Sequence, residues 1–242
     1  MPTIRELLSR GQSEIPCSDT ARLDAELLLC SVLNTERAVI YSCPEREIPC
    51  READAYHSLL TRRAKGWPIA YLTGHKEFWS LDFQVNEDTL IPRPETECLV
   101  ACALGKIPDD EAVRIMDLGT GTGAIAIAIA RERPQCRMLA IDISDGALTI
   151  AAANANRHGL ENIRFQRSDW FAAIDCQDFD FIVGNPPYVR CNDKHLQQGD
   201  VRFEPVHALR AGDDGLHHIR QIIAQAPDYL AVHGWLLLEH GY

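Results

Sequence analysis

The chain has 242 residues, of which 46% are hydrophobic and 24% are charged, and its formal net charge is −11. This composition excludes fibrous and intrinsically disordered proteins and is typical of a globular protein of one or two domains. The longest apolar run, Gly123 to Ala130, is too short to span a bilayer, and the first residues lack the apolar core of a secretory signal, so we predict a cytoplasmic protein without a membrane partner.

The first 65 residues predict short amphipathic helices and no strand. The clearest helix spans Thr20 to Leu33, and a second spans Arg51 to Lys65, ending before Gly66 and Pro68. We therefore predict a small all-helical domain over residues 1–75.

The residue pattern changes between residues 76 and 94. Apolar side chains nearly alternate from Lys76 to Val85, which is typical of a β-hairpin. Ile91-Pro92-Arg93-Pro94 follows, and its two prolines stiffen the chain into an extended segment. We predict a linker of hairpin and proline-rich segment over residues 76–94, followed by a helix from Glu95 to Leu104.

From residue 95 onward, predicted strands alternate with predicted helices. This alternation predicts an α/β fold, a doubly wound, mostly parallel, Rossmann-like sheet over residues 95–242. The strands are expected at Val113–Leu118, Arg137–Ile143, Ile163–Gln166, Phe179–Val183 and Trp235–Glu239, with helices at Gly123–Arg131, Ala147–His158 and Gly215–Leu230.

The nine cysteines and nine histidines form no recognisable ligand motif. The closest cysteines, Cys98 and Cys102, are one helical turn apart, and no Cys-x-x-Cys pair occurs. The adjacent His217 and His218 would point about 100° apart on a helix, which suits surface positions. We therefore predict free thiols, Cys17 among them, and no metal site.

A glycine-rich segment, Asp117-Leu118-Gly119-Thr120-Gly121-Thr122-Gly123, lies between a predicted strand and a predicted helix. Glycines allow a sharp turn and the close approach of a ligand. The spacing differs from the dinucleotide fingerprint, and the Lys of a phosphate-binding loop is absent. Asp117 would disfavour a pyrophosphate and favour a cationic ligand, such as a sulfonium that carries an ammonium group.

Acidic and aromatic residues follow the next two strands. Asp142 ends the second strand, where an acid accepts hydrogen bonds from ribose hydroxyls in nucleotide-binding sheets. Asp169 and Trp170 follow the third strand, where an adenine ring would lie. Asp169 is a candidate acceptor for an exocyclic amine, and either Trp170 or Phe171 is a candidate for packing on the ring.

The segment Gly184-Asn185-Pro186-Pro187-Tyr188 directly follows the fourth strand. Two consecutive prolines form a rigid turn that cannot join the sheet, at the edge where such sheets bind ligands. The Asn185 side-chain carbonyl and the Pro186 backbone carbonyl can accept both hydrogens of a planar NH₂ group. Holding both hydrogens out of the plane of the group would help to localise the nitrogen lone pair toward an electrophile, and Tyr188 could stack on the flat substrate group.

These motifs resemble those of a known family. The glycine-rich segment resembles the first motif of class I S-adenosylmethionine-dependent methyltransferases, and Asn185 to Tyr188 resembles the signature of those that methylate planar amino nitrogens. The closer resemblance is to the release-factor glutamine methyltransferases, the HemK/PrmC family. It rests on Arg62-Arg63, Pro68 to Gly74, Glu77-Phe78-Trp79, Leu90 to Glu97 and His195 to Pro205.

The resemblance implies methyl transfer from S-adenosyl-L-methionine to the glutamine amide in the Gly-Gly-Gln motif of class I peptide release factors. Asn185, Pro186 and Tyr188 would be catalytic, and Pro187 would join them in binding the glutamine. The helical domain would help to dock the release factor. The cofactor would be held by Asp117, Gly119, Thr120, Gly121, Thr122, Gly123, Asp142, Asp169, Trp170 and Asn185.

Two other functions remain open at this stage. An adenine or guanine amino-group methyltransferase acting on DNA or RNA would suit the same tetrapeptide. However, residues 76–242 hold 15 Lys and Arg against 25 Asp and Glu, which is a poor surface for phosphates, so no direct nucleic-acid partner is expected. A non-enzymatic binding module is disfavoured because Asp117, Gly119, Gly121, Asp142 and the tetrapeptide are intact.

The resemblance also bears on the end of the sheet. Family members are expected to continue beyond Trp235–Glu239 with a further helix and an antiparallel pair of strands. We therefore expect the last strand of this chain to leave one edge unpaired.

Overall fold

The structure is a computed structural model that describes residues 1–16 and 18–241. The chain divides into two compact units, Met1–Gly74 and the residues from His75 onward. Each unit has a hydrophobic core of its own.

The first unit is built from helices in the part that the structure describes. They are α1 (Ile4–Glu14), α2 (Ala21–Leu33), α3 (Arg37–Ser42), α4 (Cys50–Ala64) and α5 (Ile69–Thr73). Helix α1 begins with a capping box, in which the Thr3 hydroxyl accepts from the Glu6 amide and the Glu6 carboxylate accepts from the Thr3 amide. The predicted all-helical first domain is confirmed.

The second unit begins with a hairpin and continues with alternating strands and helices. Its elements are β1 (His75–Phe78), β2 (Leu81–Gln84), α6 (Thr96–Leu104), β3 (Arg114–Leu118), α7 (Ala124–Glu132), β4 (Arg137–Asp142), α8 (Asp145–Arg157), β5 (Ile163–Arg167), β6 (Phe179–Gly184), α9 (His217–Gln225) and β7 (Leu230–Leu238). Short 3-10 turns lie at Lys194–Gln197, Asp200–Phe203, Val206–Ala208 and Ala226–Asp228.

Strands β3 to β7 form one parallel sheet in the order β5-β4-β3-β6-β7. Both faces are covered: along β3, Ile115 contacts one apolar cluster, while Met116 and Leu118 contact the other. The order reverses between β3 and β6, which is where open α/β sheets bind ligands. This arrangement confirms the predicted doubly wound α/β fold. Within the described residues, β7 pairs with β6 alone.

Two predicted elements near residue 230 have the wrong extent. The predicted helix Gly215–Leu230 is too long, because α9 ends at Gln225 and Pro227 lies in a 3-10 turn. The last strand begins at Leu230 rather than Trp235, because an irregular pairing near Phe179 lets the chain join the sheet earlier.

Several predictions concern groups outside the sheet. The eight described cysteines are free thiols, and Cys17 lies outside the described residues. None of the described helices has the length and apolar character needed to cross a membrane. Over the same part of the chain, no three His, Cys, Asp or Glu side chains gather in a group able to hold a metal ion.

Candidate active site

A cavity lies at the carboxyl ends of β3, β4, β5 and β6. Parallel strands end at a common edge, so the segments that follow them are brought together there. The structure gathers seven of the predicted site residues on the cavity wall: Gly119, Gly121, Asp142, Asp169, Trp170, Asn185 and Pro187. The other six do not line this wall and lie behind or beside it: Asp117, Thr120, Thr122, Gly123, Pro186 and Tyr188.

Hydrogen bonds donated by backbone amides hold the glycine loop at the end of β4. The Thr120 amide donates to the Ile141 carbonyl at 2.8 Å, and the Gly121 amide donates to Asp142 Oδ2 at 2.9 Å. Gly119 and Gly121 have φ of 67° and 56°, in the left-handed region that favours glycine. With no Cβ, both residues present bare backbone to the cavity.

Asp117 is fully buried beneath this loop instead of facing the cavity. Its Oδ2 accepts a hydrogen bond from Thr120 Oγ1 at 2.6 Å, while its Oδ1 has no partner. Burial, with a smaller contribution from the nearby Asp142 carboxylate, raises the pKa of Asp117 to about 7. Asp117 therefore supports the loop from below.

Thr122 and Gly123 fix the beginning of α7 against α8. The Thr122 carbonyl accepts from Asn154 Nδ2 at 2.9 Å, and Asn154 is fully buried. A Cβ at Gly123, whose φ is 83°, would lie 2.8 Å from Ile127 Cδ1 and 3.3 Å from Ala151 Cβ. These two residues thus allow close helix packing.

Asp142 uses both carboxylate oxygens within the chain. Oδ2 accepts from the Gly121 amide and Oδ1 accepts from the Ser144 amide, each at 2.9 Å. Each oxygen has a second lone pair, so the side chain retains acceptor capacity toward the cavity.

Trp170 forms the wall next to the glycine loop. Its φ of 48° is unusual for a bulky residue, and its carbonyl accepts from Ser168 Oγ at 2.6 Å. A Cβ at Gly119 would lie 3.7 Å from the indole ring. Phe171, the alternative ring partner, instead stacks on Tyr229 at 4.5 Å between centroids in the core.

Six polar residues on the wall were not identified from the sequence, namely Asp88, Thr89, Ser168, His207, Arg210 and His218. The prediction that both adjacent histidines occupy surface positions is wrong for His218. Its ring lies 5.4 Å from the Trp170 ring, and burial lowers its pKa. Its Nδ1 is buried without a partner. Two adjacent histidines in the sequence do not indicate this placement, because the placement of His218 depends on how α9 packs on the sheet.

The tetrapeptide directly follows Gly184, where β6 approaches β3 closely. A Cβ at Gly184 would lie 2.8 Å from the Leu118 carbonyl oxygen, so this approach requires glycine. Asn185 Nδ2 donates to Thr96 Oγ1 at 3.2 Å. The Tyr188 hydroxyl donates to Glu239 Oε1 at 3.2 Å, and burial raises the pKa of Tyr188 to about 12.

These groups fit an adenosine derivative with a cationic substituent. Bare backbone at Gly119 and Gly121 admits a ligand closely, Asp142 retains acceptor capacity suited to hydroxyl groups, and Trp170 offers an aromatic surface. Asn185 lies on the same wall, so an amide bound at the tetrapeptide would be adjacent to such a ligand.

Comparison with known proteins places the chain among methyltransferases. Residues 97–202 match the methyltransferase small domain, and residues 6–74 match the PrmC N-terminal domain. The chain is 50% identical over its full length to the release factor glutamine methyltransferase of Pseudomonas aeruginosa, covering 87% of that protein. It is 51% identical to that of Coxiella burnetii over 93% of this chain and 80% of the relative, and 49% identical to that of Escherichia coli over 97% and 84%.

Proposed function

The chain belongs to the release factor glutamine methyltransferase family, and we propose that it methylates the side-chain amide nitrogen of a glutamine in a class I peptide release factor. The glutamine is that of the Gly-Gly-Gln motif. The observation that carries the proposal is the position of Asn185, which lies on the cavity wall together with the glycine loop and opens the Asn-Pro-Pro-Tyr segment. The alternative function, base methylation in DNA or RNA, is not favoured by the relatives.

Binding of S-adenosyl-L-methionine is assigned to the wall formed by Gly119, Gly121, Asp142, Asp169 and Trp170. The cofactor supplies, when bound, a methyl group on an electrophilic sulfonium. The bare backbone of the glycine loop admits the ligand, and Asp142 accepts from its ribose hydroxyls. Trp170 packs on the adenine, beside Asp169. The conformation of this loop is maintained by Asp117, Thr120, Thr122 and Gly123.

Binding of the glutamine amide is assigned to Asn185, Pro186, Pro187 and Tyr188. Asn185 Oδ1 and the Pro186 carbonyl each accept one hydrogen of the NH₂ group, which holds the group at both hydrogens. An amide nitrogen is a weak nucleophile because its lone pair is delocalised. Holding both hydrogens out of the amide plane would help to localise that pair on the nitrogen, and proximity and orientation would supply most of the rate enhancement.

The remaining segments are assigned by position along the chain. Residues 1–75 dock the release factor, residues 76–94 form the linker, and residues 95–242 carry out the methyl transfer. The 15 Lys and Arg against 25 Asp and Glu in residues 76–242 suit a neutral or basic protein surface better than a nucleic acid. A substrate used in translation implies action in the cytoplasm.

The test is a methyl-transfer assay with labelled cofactor, an unmodified release factor and total RNA in one reaction. We expect label on the release factor and none on a release factor whose motif glutamine is replaced by alanine. Label on RNA alone would refute the proposal, and absence of label would favour a non-enzymatic binding module.

The residue assignment is tested with Asn185→Ala. Transfer should fall by at least about 100-fold because one of the two amide acceptors is lost, while the Kd for the cofactor should change only a few-fold. Asn156→Ala on the exposed side of α8 is the matched control and should leave both quantities unchanged. An equal loss of cofactor binding and transfer in Asn185→Ala would contradict the assignment.

A further inference from the structure

Two segments on which the family resemblance rests have no assigned contact with the cofactor or with the glutamine. They are the proline-rich segment that includes Ile91 and Arg93, and the later segment that includes Glu204. The structure joins them: Glu204 Oε2 accepts from the Ile91 amide at 3.2 Å, and Glu204 Oε1 accepts from the Arg93 guanidinium. The Glu204 side chain is 0% exposed, so its charge depends on these partners.

The ion pair between Arg93 and the buried Glu204 carboxylate holds the chain directly before α6. The Thr96 amide donates to the Arg93 carbonyl at 3.1 Å, so the first residue of α6 is hydrogen-bonded to the segment that Glu204 holds. Thr96 is 5% exposed, and its Oγ1 is the acceptor for Asn185 Nδ2 at 3.2 Å. A continuous series of contacts therefore runs from Glu204 through Arg93 and Thr96 to Asn185.

The contact matters because the two ends of an asparagine amide have opposite polarity. Nδ2 donates and Oδ1 accepts, and a half turn about the last side-chain bond exchanges them. A substrate NH₂ group needs an acceptor. An Asn185 side chain that presented Nδ2 to it would place two donors face to face, and the amide would not be held.

We propose that Thr96 is a positioning residue that fixes the orientation of the Asn185 amide. By accepting from Nδ2, the Thr96 hydroxyl leaves Oδ1 as the end that accepts from the substrate amide. Glu204, through Arg93, fixes the backbone that carries Thr96. The role in catalysis depends on the proposed function, whereas the contact between Thr96 and Asn185 can be tested without it.

Thr96→Val removes the hydroxyl at nearly constant shape, and Thr96→Ser keeps it. The Nδ2 donor would lose its partner in Thr96→Val, so we expect kcat to fall by about 10- to 100-fold with a smaller change in KM for the release factor. Thr96→Ser should recover most of kcat. The exposed Thr149→Val on α8 is the control and should behave as the unmodified protein. Thr96→Ala replaces the valine variant if that protein does not fold.

If Thr96 had a merely structural role, Thr96→Val would lower the melting temperature without a selective loss of kcat. Thr96→Ser would then be impaired as well. Equal kcat in Thr96→Val and the unmodified protein would therefore overturn the proposal. So would a loss of kcat in Thr96→Ser as large as that in the valine variant.

A second measurement is independent of the reaction. The Asn185 side-chain NH₂ resonance is identified by its disappearance in Asn185→Asp, using ¹⁵N-labelled protein. In Thr96→Val this resonance should shift and its hydrogens should exchange faster with water, while Thr96→Ser should resemble the unmodified protein. An unchanged resonance in Thr96→Val would refute the contact. A shifted resonance in a protein that methylates no release factor would refute the proposed function alone.

Discussion

Asp117→Asn tests how the glycine loop is supported. Asp117 is 0% exposed, its Oδ1 has no partner, and burial raises its pKa to about 7 from an ordinary value of 3.8. The folded state therefore keeps this carboxyl protonated over a range of pH in which the unfolded chain has lost the proton. Asparagine has nearly the same shape and does not titrate.

The magnitude follows from the difference between the two pKa values. Between about pH 4 and pH 7 the folded state binds more protons at this site than the unfolded state, so the stability contributed by Asp117 is lost as pH rises. The difference of about 3 units corresponds to about 4 kcal/mol at about 1.4 kcal/mol per unit. Above pH 7 the loss is complete. The free energy of unfolding of Asp117→Asn should thus increase relative to that of the unmodified protein as pH rises, with no further increase beyond pH 7 to 8.

The assay is urea unfolding at pH 5, 6, 7 and 8, followed by tryptophan fluorescence. Trp67 is replaced by Phe in both proteins, so that the signal reports on the second unit. The difference in free energy of unfolding should grow by about 1.4 kcal/mol per pH unit from pH 5 and then level off. Asp228→Asn, at an exposed aspartate, should give a difference within about 0.5 kcal/mol throughout. A pH-independent difference for Asp117→Asn would show that the carboxyl is ionised in the folded protein at all four pH values.

Three further predictions concern the cavity and its surroundings. Gly184→Ala should lower the free energy of unfolding by about 1–3 kcal/mol because its Cβ would meet the backbone of β3. Gly121→Ala has open space around its Cβ and should lower the free energy of unfolding by about 1–2 kcal/mol because of its positive φ alone. Urea unfolding measures both changes. Tyr188→Phe should keep transfer within about 10-fold because only one hydrogen bond is lost, while Tyr188→Ala should lose about 100-fold or more. Trp170→Ala should weaken cofactor binding by about 10-fold in calorimetry, and Trp170→Phe should recover most of it.

Much of the second unit could be predicted because its signals are local. The apolar run of β3, the apolar run of β6 and the glycines after β3 are each formed by residues close together in the sequence. Each therefore indicates a buried strand or a turn without reference to the rest of the chain. A parallel sheet then brings the strand ends to one edge. Asp142, Trp170 and Asn185 could therefore be placed at one cavity from spacing alone, and the structure does place them there.

The contacts that hold these residues could not be predicted in the same way. Thr96 and Asn185 are separated by 89 residues, and Arg93 and Glu204 by 111, so no local periodicity connects either pair. The family resemblance marked both segments without indicating that they touch. His218 shows the same limit, because its place on the wall depends on the packing of α9 and not on its sequence neighbours.

The position of Asp117 changes the electrostatic interpretation of the site. The sequence predicted that its charge would face a cationic ligand, but the side chain is buried behind the loop, and near pH 7 it is only partly ionised. The carboxylates on the cavity wall instead belong to Asp88, Asp142 and Asp169. Asp142 also fixes the Gly121 amide, so one carboxylate both shapes the loop and contributes charge to the wall. Support of the loop from below and attraction of a cation at the cavity are therefore assigned to different aspartates, and substitutions at the two positions should separate stability from cofactor affinity.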